Sequence, residues 1–278
     1  MLDIREAMFI GAVGVIAHNM IDYNLQFVAI SLPLWAFLGI LSNDLPNGGA
    51  HVPRKLARSV EIVIITILMI VVVVEGRYMV LSSLGRHAEG REDFVSAAKW
   101  YEDSKSQKYT RDMHLSRAHV FLQMEETEKA NAALDDYFAQ NGEDGRAFKL
   151  RGDVCRSQKE WDCAIENYEK AYELIRFNGV DLLRSLVETL RDSGRREEIN
   201  ARREEFDELI VMYGKSIEYN AHYIALSGNV QEFLKLLETM ARLYPVDEPK
   251  YVVLGAKAEL NARFEQERLK SRSAGYLW

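Results

Sequence analysis

The residues best suited to chemistry lie near the start of the chain, in the run His18-Asn19-Met20-Ile21-Asp22-Tyr23-Asn24-Leu25-Gln26-Phe27-Val28-Ala29. An imidazole titrates near neutrality, so His18 is suited to take a proton from a hydroxyl. Asp22 follows one helical turn on if the segment is helical, where a carboxylate can orient the ring. A histidine satisfied by a neighbouring carbonyl, or by Asp22 itself, is the plain alternative. The window opens onto an apolar stretch, Tyr23 to Asn43, that holds no charge over 21 residues. Ionisable groups at the edge of such a stretch are costly and therefore functional candidates.

His18, Asp22, Tyr23 and Leu25 together resemble a signature near the C-terminal end of the O-antigen ligase and polymerase family. There a His is followed by Asp or Glu, an aromatic residue and Leu at the mouth of a late membrane helix. The resemblance implies metal-free transfer of a lipid-pyrophosphate-linked glycan to an acceptor hydroxyl. It implies His18 as catalytic base and Asp22 as its orienting partner, at the outer face of a bacterial inner membrane, with membrane lipid and the lipid-linked glycan as partners. The family holds its pyrophosphate with arginines in upstream loops and has further spans before the signature. Here only Arg5 precedes the window. The expectation is a C-terminal portion of such an enzyme, with the missing upstream spans as partners and no catalysis by this chain alone. The rival expectation is a membrane-anchored repeat scaffold for envelope protein or polysaccharide assembly.

Composition separates two parts. The 278 residues carry a net charge of −7, and the mean hydropathy is −0.20. Residues 1–81 hold 11 charged side chains and a net of −1, whereas 82–278 hold 30 basic and 36 acidic residues. The first part reads as membrane-like, the second as charged and helix-rich. Nothing gives a basic footprint for nucleic acid, so no nucleic-acid partner is expected. Cys155 and Cys163 make no disulfide framework and no metal-ligand spacing, so ordinary burial is expected for both, with no metal and no cofactor. His51, His87, His114, His119 and His222 are scattered and read as surface or packing residues.

Two spans are expected, over about 22–42 and 60–81, with a short membrane or interfacial helix before them at Ala7 to Ala17. The core of the second, Ile62 to Val74, is only 13 residues and reaches full length by snorkelling of Glu61, Glu75 and Arg77. Arg54, Lys55 and Arg58 place the loop 42–59 in the cytoplasm by the positive-inside rule. Both flanks then face outward, and the domain after Leu81 is extracytoplasmic or periplasmic.

From residue 78 the sequence repeats. Gly152, Cys155, Ala164, Tyr168 and Ala171 follow a small, large, small, large, small pattern. The same offsets give Gly85, Ala88, Ala97, Tyr101 and Ser104; then Ala118, Phe121, Ala130, Leu134 and Tyr137. Downstream they give Val187, Leu190, Ile199, Arg203 and Phe206, then Ala221, Ile224, Phe233, Leu237 and Met240. Successive starts are separated by 33, 34, 35 and 34 residues, which resembles tetratricopeptide (TPR) repeats, each an antiparallel helix pair. Ser193-Gly194 and Gly228-Asn229 mark expected turns within pairs. The repeats occupy 78–247, and 248–278 form a capping helix and tail. The fold class is therefore all-α: membrane helices followed by a TPR-like solenoid.

The first helices of such a stack line a groove that takes a peptide or protein segment. By register Arg146, Lys149, Asp153, Arg156, Arg184, Glu188 and Arg191 face it. Five of these seven are basic, which allows an anionic partner, although a generic solvated face is the simpler reading.

Overall fold

A computed structural model describes residues 54–106, 112–218 and 227–271. The chain divides into two compact units between Leu68 and Met69, and all the repeats lie in the second. The first described helix is α1 (Arg54–Glu89), followed by α2 (Phe94–Ser104), α3 (Asp112–Gln123) and α4 (Thr127–Phe138). Then come α5 (Gly145–Ser157), α6 (Trp161–Ile175), α7 (Val180–Asp192), α8 (Arg196–Ala201) and α9 (Arg203–Glu218). The last two are α10 (Ser227–Leu243) and α11 (Glu248–Ser271).

The membrane expectation is corrected here. Among the described residues no helix is long and apolar enough to cross a membrane. The physical reason lies in α1: its uncharged core, Ile62–Val74, holds 13 residues and at about 1.5 Å each reaches about 20 Å, short of a hydrocarbon layer of about 30 Å. The expected span at 60–81 is therefore not one, and the inner-membrane location and membrane-lipid partner inferred from it lose their basis. The expected span at 22–42, the N-terminal helix and most of the loop 42–59 lie outside the described residues. In α1, Ile62, Val63, Ile67, Ile70 and Val73 are exposed.

The repeat pattern is realised as helix pairs. The end of α1 pairs with α2, α3 with α4, α5 with α6, and α7 with the broken helix α8–α9. The small residues are needed because a ring occupies the space a side chain would fill. A Cβ on Gly152 would stand 2.5 Å from Cε1 of Tyr168, and one on Gly85 would stand 2.6 Å from Cε1 of Tyr101. Ala118, Ala130, Leu134, Ala164, Tyr168 and Ile199 are fully buried. Each ring then solves its own polar problem. The Tyr101 hydroxyl donates to Glu89 at 2.6 Å, Tyr137 to Asp144 at 2.6 Å, and Tyr168 to Asp153 at 2.7 Å. A buried hydroxyl without such an acceptor would be destabilising.

The turns repeat as closely as the packing. Glu92, Glu125, Lys159 and Gly194 all have positive φ, between 59° and 80°, and occupy equivalent places in successive copies. After each, an N–H returns to the carbonyl five residues back: Asp93 to Ala88, Glu126 to Phe121, Glu160 to Cys155 and Arg195 to Leu190. That is a Schellman closure, and its acceptors are the residues at the second offset of the repeat pattern. Only Gly194 suits the left-handed region without steric cost, which is why it alone stood out as a turn. Asp93 and Asp144 cap the helices that follow them, accepting from the N–H groups of Ser96 and Arg146.

Three further expectations change. Cys155 and Cys163 are joined by a disulfide across the α5–α6 pair, with Cα atoms 5.8 Å apart, rather than lying as separate thiols. Gly228 and Asn229 fall in the first turn of α10, not between two helices. Consequently α10 packs on α7, and the helix expected as a cap is α11, which packs on α10 and α9 as the second helix of a fifth pair. Arg203, the odd residue of the fourth copy, has a local explanation. It pairs with Asp247 and stacks 4.2 Å from the centre of the Tyr244 ring, tying α9 to the turn after α10.

The Gly152–Tyr168 contact yields a direct test. Gly152→Val should lower stability by about 1–3 kcal/mol through overpacking. Gly142→Ala, whose Cβ meets nothing within 4 Å, should change it by less than about 0.5 kcal/mol. Urea unfolding followed by circular dichroism measures both; equal midpoints for the two variants would refute the close-packing account.

Candidate protein-binding face

His18 and Asp22 lie outside the described residues. The expected groove residues are all described, and the structure brings them together along α5 and α7, the first helices of pairs three and four. Their charges, however, are already matched. Arg146 pairs with Asp144 at 2.7 Å and with Asp112 at 3.1 Å. Lys149 sits between Asp153 at 2.9 Å and Asp181 at 3.0 Å. Arg156 reaches Glu188 at 3.0 Å and Asp192 at 3.4 Å. Arg184 is shared between Glu188 at 2.9 Å and Glu232 at 2.7 Å, and Arg191 pairs with Asp192 at 2.7 Å.

The pairs form a ladder that runs α3 to α5 to α7 to α10. Its rungs are Asp112–Arg146, Lys149–Asp181, Arg156–Glu188 and Arg184–Glu232. Thr239 of α10 adds a hydrogen bond to Glu188. The five cations face seven carboxylates among the described residues. The basic impression left by the expected residues is therefore reversed. Asp112, Asp144, Asp181, Asp192 and Glu232 were missing from the expected set. A signal for two of them was present: Asp112 and Asp181 hold the same repeat offset as Arg146, so charges of opposite sign meet between neighbouring copies.

Electrostatics keep the ladder ionised. Burial works against the Lys149 charge, but Asp153 and Asp181 outweigh it and hold the ammonium above the ordinary lysine range. Burial likewise raises Glu232, yet hydrogen bonds from Lys235 and the nearby Arg184 charge leave it below the usual carboxylate range. The same relation between copies recurs at the N-terminal end between a histidine and a carboxylate. His119 Nδ1 lies 3.0 Å from Glu89 Oε1, while Tyr101 donates to the other oxygen.

A separate polar cluster lies between the second helices α2 and α4. The Arg117 guanidinium, 4% exposed, bridges Glu102 of α2 at 3.1 Å and Asp136 of α4 at 2.8 Å. His114 Nδ1 stands 3.2 Å from Arg117 Nη1, and Gln140 contacts its Nε2. Elsewhere, Cys155, Glu160 and Cys163 bring three donor atoms within 4.8 Å, but both sulfurs are committed to the disulfide.

The cluster sets a pH dependence. Burial, and then the Arg117 charge, hold the His114 ring below its ordinary value of 6.5, against the smaller pull of Asp136 and Glu102. The folded state thus favours the neutral imidazole. The resulting stability is full above the unfolded value and is lost as pH falls from about 6.5 toward the lower folded value. Tm should decline over that window in the parent protein and decline less in His114→Gln. Identical pH profiles would remove His114 as the cause.

No known family model matches the chain, and no curated protein sequence matches it. Among solved structures, MamA is 16% identical with a TM-score of 0.42, over 66% of this chain and 97% of MamA. YrrB, a TPR protein described as having an unusual peptide-binding site, is 14% identical with a TM-score of 0.41, over 64% of this chain and 90% of YrrB. PilF of Pseudomonas aeruginosa is 15% identical with a TM-score of 0.46, over 73% of this chain and 94% of PilF.

Proposed function

We propose that the chain is a TPR-like interaction scaffold that holds a basic, extended segment of a partner protein along the first helices α3, α5, α7 and α10. The ion-pair ladder carries this reading. Its cations are saturated by intramolecular partners, whereas its carboxylates are in excess. A carboxylate offers about four acceptor positions, so one paired with a single guanidinium still accepts from an incoming lysine, arginine or peptide N–H. Asp112, Asp181 and Asp192 are 64%, 39% and 33% exposed at their side chains and are the accessible members. The chain's net charge of −7 favours encounter with a cationic segment. Ordered, pre-paired side chains also reduce the entropy lost on binding.

The finer reading of the N-terminal window, glycan transfer with His18 as base and Asp22 as its orienting partner, rests on residues outside the described ones. It requires that, in an enzyme reconstituted from this chain and the expected upstream spans, His18→Ala abolish transfer while the repeat fold stays intact.

The scaffold reading is tested with the full chain and a fluorescein-labelled Lys/Arg-rich peptide by anisotropy. Binding should weaken with added salt, and Asp181→Asn with Asp192→Asn should weaken it several-fold. No binding, or binding unchanged in the double variant, would set the reading aside.

A further inference from the structure

A second concavity lies away from the face of the ladder. It is a trough of about 930 Å³ between α2 and α4, with α3 as its floor. That volume lies within the range of about 300–1,000 Å³ common for binding sites. Phe121 and Met124 give it an apolar base, and Lys99, Lys105 and Lys129 stand along its rim. Arg117 closes the floor as a buried cation.

The cations here are less well matched than those of the ladder. Arg117 Nε lies 3.1 Å from Glu102, yet it is buried without an aligned hydrogen-bond acceptor. Lys99 contacts the face of Trp100 at 5.6 Å and makes no ion pair among the described residues. Among the described residues Lys105 pairs with Glu102 at 3.4 Å, and Lys129 pairs with Glu126 at 2.6 Å and lies 5.5 Å from the centre of the Phe121 ring; both lysine side chains remain well exposed. The exposed Lys105–Glu102 pair contributes little, so an incoming carboxylate can capture Lys105 at small cost, and it can join the exposed Lys129 beside Glu126 without displacing that acid.

We propose that this trough is a second binding site, for an acidic protein segment that places a carboxylate near Arg117 and an apolar side chain on Phe121 and Met124. The rim also carries Glu102, Glu126 and Asp136. Those acids oppose a continuous phosphate backbone but leave room for spaced carboxylates, which selects a peptide over a nucleic acid. The scaffold then engages two partners of opposite charge on two faces.

The test uses the full chain and a labelled Glu-rich peptide bearing two leucines. The parent protein should bind it, and Lys99→Glu with Lys129→Glu should weaken binding by about tenfold or more. Both lysines are exposed, and circular dichroism checks that the double variant folds. Asp181→Asn with Asp192→Asn should leave this affinity unchanged, so failure here is distinct from failure of the basic-segment reading. A photo-crosslinker at the exposed trough position 132 should capture the peptide in the otherwise unmutated chain. Absence of binding, equal affinity in the lysine variant, or no crosslink from position 132 would each overturn the proposal.

Discussion

The fold depends on one contact repeated along the chain: a residue with little or no side chain opposite a large one. Where Gly85 and Gly152 meet Tyr101 and Tyr168, the two helices of a pair approach until a ring fills the whole gap. Close approach buries the ring, and the buried hydroxyl then demands an acceptor. Glu89 and Asp153 supply it from the first helix of the same pair. Packing and polar satisfaction are thus coupled, because the carboxylate that serves the tyrosine also projects toward the face shared by the first helices. Asp153 therefore accepts from Tyr168 on one side and holds Lys149 on the other.

That coupling explains which parts of the structure could be read in the sequence. Among the described residues the repeat offsets name positions that are buried almost without exception, since they encode a steric requirement that each described copy meets. Arg203 is the exception, and its partners Asp247 and Tyr244 lie more than one repeat away. The fifth copy was out of register for a related reason. The buried set of α10, Val230, Phe233, Leu236, Leu237, Met240 and Leu243, has helical spacing that suits either member of a pair. Only its contacts with α7, through Arg184–Glu232 and Glu188–Thr239, identify it as a first helix. The apolar run in α1 was read as a span from its aliphatic content, although its uncharged length is too short.

The candidate face was legible in position but not in character. Register placed Arg146, Lys149, Arg156, Arg184 and Arg191 together, yet counting residues on one helix at a time hides partners on the next. Asp112, Asp181 and Glu232 reach their cations from neighbouring copies, whereas Asp144 comes from the cap of the helix that holds Arg146, and Asp144, Asp192 and Glu232 share no offset with the cations they hold. The trough was not legible at all. Its walls are α2 and α4, and nothing in the spacing of Lys99, Arg117 and Lys129 announces that three helices converge there.

The disulfide has a consequence for how the array comes apart. In a linear stack each pair is stabilised chiefly by its neighbours, so terminal pairs open first and disorder advances inward. Cys155 and Cys163 place a covalent link within the third of the five described pairs. An opening front arriving from either end meets a hairpin whose two helices cannot separate at the turn. Amide protection should therefore peak at the middle of the array, with α5 and α6 remaining closed after the flanking pairs have exchanged.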